Sequence, residues 1–184
     1  VPHNPKGLIA KMGAEEFSAR LDSIFTWSEP KLFSGGTTID AFAGLQTYYN
    51  QGNQPCLHIS WLFNEAGRPS LTQKWVRRIL DKFYGTDGIH GYGYGQDEDQ
   101  GQLGAWYVIS SLGLFDVAGL ANTTPSVSLG STKFDKVTIK LNPKYYKGKE
   151  FVIEAKGNSD ATPYVQRFVL NGEQLSDLRV PFSA

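Results

Sequence analysis

The hydrophobic repeat of this chain changes once, near residue 118, and that change bounds the folds open to it. Ahead of it apolar residues recur at three- and four-residue spacing, the period of a helix; behind it they recur at every second residue, the period of a half-buried strand. Phe17, Leu21, Ile24 and Phe25 predict a helix over 13–25. Leu57, Ile59, Trp61, Leu62 and Phe63 make 55–66 apolar almost all round, which predicts a buried helix stopped by Gly67. In 70–84, Leu71, Trp75, Ile79 and Phe83 form one stripe while Lys74, Arg77, Arg78, Asp81 and Lys82 face away. Over 99–114, Leu103, Trp106, Ile109 and Leu112 share a side. Beyond Gly119 the alternating runs 126–129, 136–141, 150–156 and 165–170 predict strands, and Asn171-Gly172 predicts a tight hairpin turn. The expected organisation is therefore helical over 1–118 and antiparallel β over 119–184, an α+β arrangement.

Charge and cysteine content remove several function classes. Eighteen basic residues balance eighteen acidic ones, so there is no electrostatic footprint for nucleic acid or an anionic membrane. No apolar run approaches the roughly 20 residues of a membrane-spanning helix. Cys56 is the sole cysteine, which excludes an internal disulfide and a cysteine-built zinc cluster. The chain opens Val1-Pro2-His3-Asn4-Pro5, without a leader pattern, and reads as the inside of a loop; the expectation is a fragment, a processed product or one part of a larger chain.

Two polar constellations stand out. Asp97-Glu98-Asp99 follows the glycine-rich run 91–95 and immediately precedes an apolar helix. Acids at a helix start are favourable through the helix dipole, by about 0.3–1 kcal/mol each. Three adjacent carboxylates exceed that need, and their mutual repulsion raises a pKa, as suits a proton acceptor or a neighbour of a cation. An EF-hand does not fit, because Gln102 stands at its glycine position and Val108 at its final glutamate. The second constellation is Asn50-Gln51-Gly52-Asn53-Gln54-Pro55-Cys56-Leu57-His58. Amides both donate and accept hydrogen bonds, which matches sugar hydroxyls, and their oxygens suit Ca²⁺. Helix capping by Asn53 and a satisfied, buried His58 are the plainer readings of the same residues, and Cys56 reads as packing. Phe, Tyr and Trp make up 13% of the chain, enough to line a sugar site as well as fill a core.

These pieces occur in one order with others: Val1 to Ile9, Gly52-Asn53-Gln54-Pro55 with His58, Trp61 to Gly67, Glu98-Asp99-Gln100-Gly101-Gln102 with Ala105-Trp106-Tyr107, Ser111-Leu112-Gly113, Gly130-Ser131, Phe134-Asp135-Lys136 and Asn171-Gly172. In that order they resemble the C-terminal part of the calcium-dependent α-mannosidases of glycoside hydrolase family 92, over nearly the whole chain. The resemblance implies that 1–118 is the C-terminal part of an (α/α)6 barrel, followed by a small antiparallel β region, with the family's N-terminal β-sandwich absent from this chain. It implies an inverting, exo-acting enzyme that removes terminal α-linked mannose from glycans, with Ca²⁺ gripping the sugar hydroxyls. Inversion requires two carboxyl groups about 6.5–9.5 Å apart, one acid and one base with water beside it.

By the same resemblance Asp99 is the general base and Asp97 its helper. Asn53 and Gln54 hold the metal, and Asn53, Gln54, His58 and Glu98 serve the substrate, Glu98 also as a helix cap. The general-acid glutamate falls about ten residues before the Val-Pro-His motif, outside this sequence. The expected partners are a mannose-containing glycan and the missing N-terminal part, and the expected location is secreted or periplasmic. Asn4 replaces a common aspartate, Gln54 a common glutamate, and Gln96-Asp97 a usual Gly-Asn. The lost charge at Gln54 predicts weaker Ca²⁺ binding or a different linkage preference. A carbohydrate-binding relative without turnover and a purely structural piece remain alternative readings.

Overall fold

The computed structural model describes residues 3–35, 47–85, 100–118 and 122–182. It is a mixed fold of helices and small antiparallel sheets. Helix α1 is Pro5–Met12. Asn4 starts it, its Oδ1 accepting from the Gly7 amide at 2.8 Å, and Pro5 fills the first position, where no N–H is needed. Helix α2, Ala14–Ser28, buries Phe17, Leu21 and Phe25 and runs into a 3₁₀ segment, Glu29–Ser34. Helix α4, Pro69–Lys82, lays Trp75, Val76, Ile79 and Leu80 into the core, and helix α5, Gln102–Ser111, adds Leu103 and Trp106. Trp75 is the hub: its ring stacks on Phe25 at 5.3 Å, meets Phe33 edge-on at 6.3 Å, and its Nε1 donates to Asp22 at 2.6 Å.

The apolar run 55–66 differs from the single helix its composition predicts. It forms 3₁₀ turns at Gln54–Cys56 and Ile59–Trp61 and only then the short α3, Leu62–Glu65. A tertiary bond explains the break. The Leu57 carbonyl is taken by Trp106 Nε1 at 2.8 Å, and the Trp61 amide turns to the His58 carbonyl at 3.1 Å instead. The run is nonetheless buried, as its composition implies, at Leu57, Trp61, Leu62 and Phe63.

Strand β1, Leu114–Phe115, leaves α5 directly, ahead of the change of period. It pairs with β2, Ser126–Leu129, which pairs with β7, Arg179–Pro181, in a three-stranded antiparallel sheet. Between α5 and β1, Gly113 has φ +76°, and a Cβ there would sit 2.8 Å from the Thr132 amide, so only glycine fits this turn. Strands β3, Lys136–Lys140, and β4, Glu150–Glu154, form a separate two-stranded ribbon whose residues alternate between exposed and half-buried. Strands β5, Val169–Leu170, and β6, Glu173–Gln174, meet across Asn171-Gly172, both at positive φ, the geometry of a type I′ hairpin turn. Of the run 165–170, only its last two residues pair in a strand. The Val165 amide donates instead to the buried Gln73 side chain, at 2.9 Å.

Polar bonds fasten the β half to the helices. Arg77, expected to face away from the apolar stripe, is nonetheless buried. It does face away from the aromatic core, but toward the β half, donating to Thr132 O at 2.7 Å, Asn158 at 3.1 Å and Ser131 at 3.2 Å. Asn64 donates to Leu129 O at 3.0 Å, and Arg179 pairs with Glu65.

Candidate functional site

Of the residues singled out by sequence, Asp97, Glu98 and Asp99 lie outside the described residues. Asn53, Gln54 and His58 are described, and they share one loop that is wired to the helix the acid triplet leads into.

The wiring begins at a strained turn. Leu32, Phe33 and Ser34 have φ of +51°, +53° and +67°, the left-handed region, at a cost of roughly 1–2 kcal/mol each. Burial of the Phe33 ring against Tyr49 and Trp75 holds them there. The Phe33 carbonyl then accepts from the Gln51 amide at 3.1 Å, and the Tyr49 amide donates to Ser28 Oγ at 2.8 Å. Backbone strain of this kind persists only where packing over-determines it, and here it frames the amide loop.

Gln51 is fully buried. Its side-chain oxygen accepts from the Tyr49 hydroxyl, its Nε2 donates to the Tyr84 hydroxyl at 2.9 Å, and that hydroxyl donates to the Leu103 carbonyl in α5 at 3.0 Å. Burial drives the Tyr49 hydroxyl well above its ordinary pKa of 10.0, so it stays a donor. The Tyr84 ring also stacks on Trp106 at 5.8 Å, 10° from parallel. Together with the Trp106–Leu57 bond, this ties both ends of segment 51–57 to α5. A fully bonded buried chain of this kind fixes one arrangement.

On this base the loop turns tightly, the Gly52 amide donating to Asn50 Oδ1 at 2.9 Å and the Asn53 amide to Asn50 O at 3.2 Å. The Asn53 side chain is exposed and makes no capping bond, so the capping reading does not account for it. Gln54 is half-buried at the start of its 3₁₀ turn. His58 is half-buried, and burial lowers its pKa below 6.5 while a bond with the Pro55 backbone opposes the shift. It is neutral at pH 7. Its contribution to stability is complete above 6.5 and is lost as pH falls toward the lowered folded value. Burial raises the Cys56 thiol pKa, which suits packing rather than nucleophilic chemistry.

Sequence reasoning missed the three groups that hold the site together. Gln51 was one amide in a polar run, Tyr84 the end of a helix pattern and Trp106 a core residue. The one available signal was the polar tip each carries, which demands a partner when buried.

The profile of the glycosyl hydrolase family 92 catalytic domain matches residues 1–183. The chain belongs to glycosyl hydrolase family 92. Among solved structures, this family 92 chain superposes on the GH92 alpha-mannosidase BT3965 from Bacteroides thetaiotaomicron with a TM-score of 0.74 and 28% identity, over 98% of its own length and 21% of that chain. It superposes on the same enzyme in complex with mannoimidazole with a TM-score of 0.76 and 28% identity, over 98% of its own length and 22% of that chain. It thus spans about a fifth of the length of the relative it matches. No curated protein matches it.

The loop itself offers neutral oxygens. Among the described residues no group of three or more His, Cys, Asp and Glu side chains comes together. A family 92 metal site that included this loop would take amide oxygens from it, and a Ca²⁺ ion accepts six to eight oxygen ligands, amides among them.

Proposed function

We propose that this chain forms the C-terminal part of the catalytic domain of an inverting, exo-acting α-mannosidase that removes terminal α-linked mannose from glycans. Its helices α1 to α5 are read as part of an (α/α)6 barrel, with the remaining helices and a β-sandwich on the rest of the protein. The observation that carries the reading is the buried Tyr49–Gln51–Tyr84–Leu103 chain. It ties the loop that carries Asn53 and Gln54 to α5, which supports reading the loop amides and the acid triplet that precedes α5 in sequence as one site. Family 92 membership over 1–183 supplies the reaction class.

In this reading Asp99 takes a proton from the water that attacks the anomeric carbon, and Asp97 is its helper, its nearby charge raising the basicity of Asp99. A carboxylic acid on the rest of the protein protonates the leaving oxygen. Asn53, Gln54 and His58 hold sugar hydroxyls, and Glu98 supports them from the helix entrance. Asn53 and Gln54 would also hold Ca²⁺. Two neutral amides make a weak set, and the negative ligands would come from beyond the described residues. When bound, Ca²⁺ would add charge and contacts at the sugar hydroxyls.

Proton NMR of the first anomer released from an α-mannoside by the complete protein tests the proposal. β-Mannose should appear first and mutarotate, and chelation should slow release until Ca²⁺ is restored. Early α-mannose would exclude inversion. Binding of mannosides without release would make the protein a carbohydrate-binding relative.

A further inference from the structure

Two bonds tie the amide loop to α5, and they differ in kind. The Trp106–Leu57 bond is made by an indole that is itself part of the buried core. The other passes through a single hydroxyl. Tyr84 Oη accepts from Gln51 Nε2 at 2.9 Å and donates to the Leu103 carbonyl, in the first turn of α5, at 3.0 Å. The direction of this chain is fixed at its far end. The Tyr49 hydroxyl donates to Gln51 Oε1, so the Gln51 amide presents its N–H to Tyr84 and the Tyr84 proton points to α5. The Tyr84 ring is held independently of its hydroxyl. It stacks on Trp106 and packs 5.0 Å from Tyr107 and 4.9 Å from Phe83.

Gln51 and Asn53 stand two residues apart in one turn, which the Gly52 and Asn53 amides close on Asn50. A shift at Gln51 is therefore handed on to Asn53 and Gln54 while the turn itself stays closed. We propose that Tyr84 is a positioning residue: its hydroxyl, acting through Gln51, sets where the loop amides stand relative to the first turn of α5. This rests on the mannosidase reading of that loop. Without the hydroxyl the closed turn still offers its amides to a sugar, but the sugar is carried out of register with the proposed base. A misplacement of about 1 Å costs a reaction up to about 10²-fold. Amides that move together with the sugar they hold lose far less affinity.

The test is steady-state turnover of an α-mannoside by the complete protein carrying Tyr84→Phe, well below its melting temperature. Phenylalanine keeps the ring contacts and removes only the link. kcat should fall about 10–100-fold while KM changes by less than about 3-fold. Gln51→Met, which cuts the same link from the loop side, should lower kcat to a similar extent. In a background of Asn53→Ala, Tyr84→Phe should cost only about 3-fold or less, because the two act through one side chain. Unchanged kcat with a lowered melting temperature would overturn the proposal, by making the hydroxyl a stabilising bond only. Full additivity with Asn53→Ala would overturn it as well. Hydrogen exchange separates the proposal from the reading beneath it. If the wild type releases no mannose, the mannosidase reading fails, and faster amide exchange over 51–57 in Tyr84→Phe still upholds the positioning of the loop. Unchanged exchange there would overturn it, whatever the wild type releases.

Discussion

The helical half and the β half of this chain are held by different physics. The helices close over Trp61, Trp75, Phe25, Phe63 and Phe83, all 1% exposed or less. Beyond residue 118, Val180 is the only buried apolar side chain among the described residues, and the β3–β4 ribbon has none. That half is fastened through Arg77, Gln73, Asn64 and the Arg179–Glu65 pair. The difference teaches where the candidate site draws its rigidity. The amide loop is built into the self-supporting aromatic half, and the β half is an attachment whose loosening should leave the loop in place.

Cutting the aromatic hub should do most damage. Trp75→Ala removes a ring that contacts Phe25 and Phe33 and takes from Asp22 one of its two donors, leaving Lys74, and should cost about 3–5 kcal/mol in urea unfolding of the complete protein. A loss below 1 kcal/mol would break the comparison. Arg77→Met keeps bulk but forfeits the charged bonds to Ser131, Thr132 and Asn158, and should cost about 2–3 kcal/mol. It should also open 131–165 to protease before the helices. Simultaneous cleavage in both halves would show that they share one core.

The smallest effect is electrostatic. Burial alone would raise the Glu29 pKa, but bonds from Lys82 and Arg78 outweigh it and hold the carboxyl below its ordinary 4.5. A depressed folded pKa stabilises above the unfolded value and fades as pH falls through the folded one. Glu29→Gln should therefore cost about 0.5–1 kcal/mol at neutral pH, and the gap to wild type should close below pH 4.5. The ribbon pair Lys136–Glu154 has the same 2.9 Å contact but is fully solvated, and its removal should leave the unfolding midpoint unmoved.

Patterns that involve one neighbour were legible in sequence. The stripe through Trp75, Ile79 and Phe83 buries as spaced, and Asn171-Gly172 turns its hairpin because both residues accept positive φ. Features that need two distant segments were not. Arg77 looks like solvated charge until the β half lands on it, and 55–66 looks like one helix until Trp106 takes the Leu57 carbonyl. The same holds at the site. The order of motifs pointed to the family that the match over 1–183 now shows, whereas the Gln51–Tyr84–Leu103 tie is visible only in three dimensions.

The central claim is that the loop presenting Asn53 and the carboxylate entering α5 serve one hydrolytic site. Turnover of an α-mannoside by Asp99→Asn in the complete protein tests it most directly. The substitution keeps shape and removes the proposed base, so kcat should fall about 10²–10⁴-fold with the melting temperature unchanged. Wild-type turnover by that variant would contradict the account.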